Sequence, residues 1–128
     1  MPNFERYSKD LVPLKRDPWV TLQKRGAISL NQSAYVLLDR PGAVDLLYDA
    51  DSMIIGLRKA DVNERDVHFV RSPTGKEGGP FVISAIAFMR YYDLALEASF
   101  RWPAYLDDGN LCIDLSRPGT VVTSNRAK

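Results

Sequence analysis

Two glycine-rich stretches carry the basic residues best placed to meet an anion. Lys24 and Arg25 precede Gly26 between two short strand-like runs, and Arg71 and Lys76 belong to the longer stretch around Gly75, Gly78 and Gly79. Exposed turns of this kind let backbone and cationic side chains approach phosphates and base edges closely. The plain alternative is a pair of solvated hairpin tips.

Other chemistry is weaker. Gly75-Lys76 lacks the Ser or Thr that must follow the lysine of a P-loop, since Glu77 stands there. His68 and Cys112 are the lone histidine and cysteine, so the chain alone cannot build a His/Cys metal site. His68 reads as a packing or hydrogen-bonded strand residue, and Cys112, between Leu111 and Ile113, as a small strand residue. The carboxylate pairs Asp49/Asp51 and Asp107/Asp108 fall in turn sequences, where aspartate bonds to nearby backbone. A serine nucleophile has only His68 as base, and no glycine-flanked serine elbow occurs. Phe88, Tyr91, Tyr92, Trp102 and Tyr105 are candidates for base stacking, or for the core. No enzyme and no cofactor are expected.

The 128 residues, 45% hydrophobic, suit one globular domain or two small units sharing a core. The net charge is +1, from 17 basic and 16 acidic residues. Six basic groups meet three acidic ones in residues 1–26, four meet seven in 27–70, and seven meet six in 71–128. Such a balance does not advertise nucleic acid, but it leaves room for a local basic edge. The polar start, the lack of a membrane-length apolar run and the single cysteine are read as a cytoplasmic protein without a membrane partner.

The elements that must position the basic turns follow from hydrophobic period. Residues 1–18 are expected to form an arm broken by Pro2, Pro13 and Pro18. Strands are expected at 19–23 and 27–30, a helix capped by Asn31 with Ala34, Leu37 and Leu38 on its apolar stripe, and strands at 44–48 and 53–58. A second series comes after these. It has strands at 67–71 and 81–83, a helix capped by Ser84 with Ala87, Phe88, Tyr91 and Leu94 inward, a strand at 99–106, and a strand at 111–115. Pro103 marks the 99–106 strand as an edge. Residues 118–128 are read as a flexible tail.

The two series have the same order. Val20 and Val67 are 47 residues apart, Asn31 and Ser84 are 53 apart, and both Asp49/Asp107 and Ile55/Ile113 are 58 apart. The extra residues enter at loops and helix ends, as duplication requires. The expected fold is therefore α+β: tandem ββαββ units at 19–66 and 67–117 forming one strand-rich, pseudo-symmetric core.

The first unit carries Val20 to Asn31, Leu37-Leu38, Pro41-Gly42 and Ile55-Gly56-Leu57-Arg58. Over about residues 19–60 it resembles the AbrB/MazE-type swapped-hairpin family, with a basic glycine turn before an Ile-x-Ile-like strand and a closing Ile-x-Leu strand. The whole chain resembles the double-unit, MraZ-like arrangement. It departs from the pattern at Asn31, where the family has proline, at Gln32 and Ser33, where it has a basic residue, and in the long second loop. The resemblance bears chiefly on architecture; the two basic glycine turns give the expected function, a small non-enzymatic DNA-binding or regulatory protein, a homo-oligomer, with Lys24, Arg25, Arg71 and Lys76 on DNA. The alternative is an assembly module, a homodimer or antitoxin-like partner, that binds no nucleic acid.

Overall fold

The computed structural model describes residues 17–73, 75, 80–94 and 96–122. Residues 1–16 of the expected arm, residues 123–128 of the expected tail, and Lys76 lie outside the described residues. The described chain is α+β, with two antiparallel five-stranded sheets and two short helices.

β1 (Trp19–Leu22) and β2 (Ala27–Leu30) form a hairpin with Val20 opposite Leu30. Their strict alternation buries Val20, Leu22, Ile28 and Leu30 on one face and leaves Thr21 and Ser29 on the other. Asn31 caps α1 (Gln32–Leu37), its Oδ1 accepting from the Ala34 N–H at 2.9 Å. The same oxygen accepts from the Trp19 N–H at 3.0 Å, and Nδ2 donates to the Asp17 carbonyl at 2.8 Å. One side chain thus starts the helix and fixes the chain entering β1.

β3 (Ala43–Asp49) and β4 (Ile54–Ala60) make the longest ladder. Asp49 turns it by accepting from the Asp51 and Ser52 N–H groups. Next come β5 (His68–Phe69), β6 (Phe81–Ser84), α2 (Ile86–Tyr91), β7 (Phe100–Pro103), β8 (Tyr105–Asp107), β9 (Asn110–Asp114) and β10 (Thr120–Val121). The first sheet runs β10-β7-β1-β2-β6 and the second β5-β3-β4-β9-β8. Their inner faces meet in one core: Val20, Leu22, Ile28, Leu30 and Ile83 from the first, Val44, Ile55, Leu57, Leu111 and Ile113 from the second. Among the described residues no helix is long and apolar enough to cross a membrane.

Several local expectations change. Ser84 is the last residue of β6, paired with Ala27, so its backbone is committed to the ladder; Ala85 takes the cap position, without a side-chain cap bond. In α2 the inward residues are Met89 and, partly, Phe88, while Ala87 and Tyr91 are exposed. A helix of under two turns cannot turn all four stripe residues inward.

The expected strand 99–106 breaks at buried Ala104, whose N–H donates to the Pro18 carbonyl. Its two pieces, β7 and β8, join different sheets, a corner made by a strand that switches layers. β7 is not an edge. Pro103 is tolerated because β10 covers only Phe100 and Arg101.

Residues 118–122 belong to the body rather than to a free tail. β10 pairs with β7, and the Trp102 Nε1–H donates to the Arg117 carbonyl at 2.9 Å. Gly119 passes so close to the indole that a Cβ there would lie 2.8 Å from it.

Candidate nucleic-acid interface

Directly opposed residues of an antiparallel ladder project on the same face. One such row crosses the first sheet: Thr120, Arg101, Thr21, Ser29, Val82 and then Arg71, which bridges to Val82 beyond the sheet's last strand. The row lies on the face opposite the core. Four strand spacings separate Arg101 from Arg71, about 19 Å.

Lys24 and Arg25 are exposed at the tip between β1 and β2. The tip is held from three sides. Gly26 donates to the Gln23 carbonyl, and its own carbonyl accepts from the Ala85 N–H. The Lys24 N–H donates to Ser99 Oγ at 3.0 Å. Gly26 has φ +96°, and a Cβ there would sit 2.6 Å from Ile86 Cγ1, so glycine is needed for both conformation and space. This seats the basic turn on α2, where Lys24, Arg25, Ile86, Met89, Arg90 and Asp93 line a shallow cleft.

The two basic loops are not neighbours. The Lys24–Arg25 turn leads into Ala27, opposite Ser84, whereas residues 72–80 lead into Phe81, opposite Leu30. They stand at opposite ends of the β2–β6 ladder, about 10 Å of strand apart. Arg71 is exposed at the far end of the cross-strand row, and Lys76 is outside the described residues.

Three residues that sequence patterns left aside join this surface. The Arg101 guanidinium lies over the Trp19 ring, 4.3 Å from its centroid. Arg90 adds a cation beside the first turn. Among the described residues Arg101 is the one charged residue in the first sheet's strands, and it is flanked by Phe100 and Trp102, a signal that was available. Trp19 gave none, because its partner is 82 residues away in sequence.

The charges are unevenly shared. Among the described residues the strands of the first sheet contain no Asp or Glu, while those of the second contain Asp45, Asp49, Asp107 and Asp114. Arg58 pairs with Asp45 and Lys59 with Asp39, both at 2.9 Å, and Arg117 with Asp114 at 3.5 Å. Among the described residues Lys24, Arg25, Arg71, Arg90 and Arg101 make no ion pair.

The remaining candidates sit elsewhere. Cys112 is buried on β9, and burial, then the charge of Asp107, pushes its thiol above the ordinary value. His68 lines a second cleft with Ser84, Ile86, Arg90 and Tyr91, its Nδ1 buried and without a partner among the described residues. Phe88 and Tyr92 pack around Tyr48, and Trp102 is buried; Tyr91 is 80% exposed.

No family model, curated protein or solved structure matches the chain.

Proposed function

We propose that this is a small, non-enzymatic DNA-binding or regulatory protein that meets DNA with the outer face of its first sheet and the adjoining basic turn. The observation that carries the reading is the carboxylate-free sheet bordered by Lys24, Arg25, Arg71 and Arg101, none of them ion-paired among the described residues. Cations already neutralised by aspartate, such as Arg58, release no counterions on binding. Unpaired ones do, and this drives association with a polyanion. Lys76 remains part of the proposed contact on sequence grounds.

The same reading includes two tandem ββαββ units of swapped-hairpin type, related by a local two-fold axis. In the β4–β9 ladder Ile55 faces Ile113, its counterpart 58 residues on, and the flanking pairs are Ile54 with Asp114 and Gly56 with Cys112. In β2–β6, Ser29 faces Val82, its counterpart at an offset of 53. Counterpart strands thus run antiparallel about one centre. Each unit also lends a strand to the other, β1 to β7 and β5 to β3.

The test is retention of labelled DNA across a salt series. Lys24→Ala with Arg25→Ala should weaken retention without unfolding and flatten the salt dependence by about two counterions. Absence of any retention at low salt would sink the reading.

A second reading, an assembly module, is favoured by β8. Among the described residues it is a terminal strand with one open edge, and Tyr105 and Leu106 are about half exposed. Sedimentation should then show a dimer that Leu106→Lys splits; a wild-type monomer counts against it.

A further inference from the structure

We infer that the nucleic acid taken by the first sheet is single-stranded, with an unpaired base stacked at the Trp19–Arg101 pair. The inference rests on the nucleic-acid reading above and narrows its ligand.

Four observations carry it. First, the groove on this face is lined by Trp19, Thr21, Ser29, Asn31, Pro80 and Arg101. It combines an aromatic ring, a planar cation and two hydroxyls, the groups that hold an extruded base by its face and its edge. Second, the stack is already assembled. The guanidinium lies 4.3 Å from the indole centroid, and both residues sit on strands paired in register, with Thr21 opposite Arg101 and Trp19 opposite Pro103. Third, Trp19 is anchored at its backbone. Its N–H donates to Asn31 Oδ1, and the preceding Asp17 carbonyl accepts from Asn31 Nδ2. A pre-set platform loses less entropy on binding than a loop that must order. Fourth, the row from Arg101 through Thr21, Ser29 and Val82 to Arg71 places a cation, without an ion pair among the described residues, at each end of a track about 19 Å long whose middle carries two hydroxyls and one valine. That length suits a few nucleotides of extended strand.

A duplex makes poor use of these groups. Its bases are stacked on one another, so it offers the Trp19–Arg101 pair groove edges, sugar and phosphate but no free base face. Charge alone would draw either form. The stacking pair separates them.

The experiment uses the full chain and a fluorescent twelve-residue oligonucleotide of mixed sequence. It is offered as single-stranded DNA, as single-stranded RNA and as duplex DNA at low salt, and read by anisotropy and by quenching of tryptophan emission. At least one single strand should bind about tenfold tighter than the duplex and quench the emission. Trp19→Ala should weaken that binding tenfold to a hundredfold. Trp19→Phe, which keeps a ring for stacking and for packing, should stay within about threefold of wild type but lose most of the quenching, since the remaining tryptophan, Trp102, is buried. Melting of each variant, followed by circular dichroism, checks its fold. If Trp19→Ala does not fold, the loss of quenching in Trp19→Phe decides. Duplex binding as tight as single-strand binding, or quenching that survives in Trp19→Phe, overturns the inference and leaves the DNA-binding reading standing. Retention of none of the three probes overturns both.

Discussion

The two sheets put the same kinds of side chain inward and different ones outward. Leu22 and Ile28 in the first match Leu57 and Ile55 in the second, all essentially inaccessible to solvent. Outward, the first sheet shows hydroxyls, Trp19 and Arg101 without a carboxylate. The second shows aspartates, with Arg58 held in an ion pair to Asp45; Lys59, on the core-facing side at the end of β4, pairs with Asp39. Shared burial ties both sheets to one core, and the unequal exteriors are the difference on which the proposed contact with a polyanion rests. An overall charge of +1 conceals that division, because the acidic second sheet offsets the basic edge of the first.

The equality is the easiest part to break. Leu22→Ala and Leu57→Ala should each cost about 2–5 kcal/mol and lower one common denaturation transition. Two separate transitions in chemical denaturation would mean that the sheets do not share a core. Gly26→Ala comes next. It forces a side chain into a positive-φ site and against Ile86, so a loss of about 2 kcal/mol is expected on thermal unfolding. Arg101→Glu then tests the inequality. It should weaken nucleic-acid binding about tenfold, whereas Arg58→Ala in the second sheet should leave binding nearly unchanged. Equal losses in a titration would erase the distinction between the two faces.

Asn31→Ala removes the α1 cap and the tether on Trp19, and should cost about 1 kcal/mol in a urea melt. The smallest effect is acid sensitivity, which belongs to the second sheet. The hydrogen bond from Lys59, and then its charge, hold the Asp39 carboxyl below its ordinary value; the Ser116 hydroxyl does the same for Asp114. A lowered folded-state pKa adds stability that is complete above the ordinary value of 3.8 and is lost as pH falls through the lowered one. Asp39 is exposed and Asp114 partly so, and solvent screens both, so only a slight extra steepness of the melting temperature below about pH 4 is expected, and Ser116→Ala should remove part of it.

What was legible in the sequence was local. Alternation exposed β1 and β2, and the Asn31 cap and the Asp49 turn came from side chains that satisfy backbone a few residues away. The candidate surface was half legible. Lys24 and Arg25 announced themselves as a glycine turn, but Arg101 meets Trp19 only because β7 pairs with β1 across most of the chain. No periodic pattern encodes such a pairing. For the same reason the 99–106 strand read as one piece: the break at Ala104 is set by which sheet each half joins. Thr120–Val121 read as tail because a two-residue strand is recognisable only from the neighbour that completes it.

The surface segment 61–66 leads from β4 toward β5, and four ladders cross from one side of it to the other: β1 with β7, β2 with β6, β3 with β5, and β4 with β9. Neither side keeps a complete sheet. A protease nick there would yield two fragments that stay associated as a non-covalent complex, and parting them would be the same event as unfolding them.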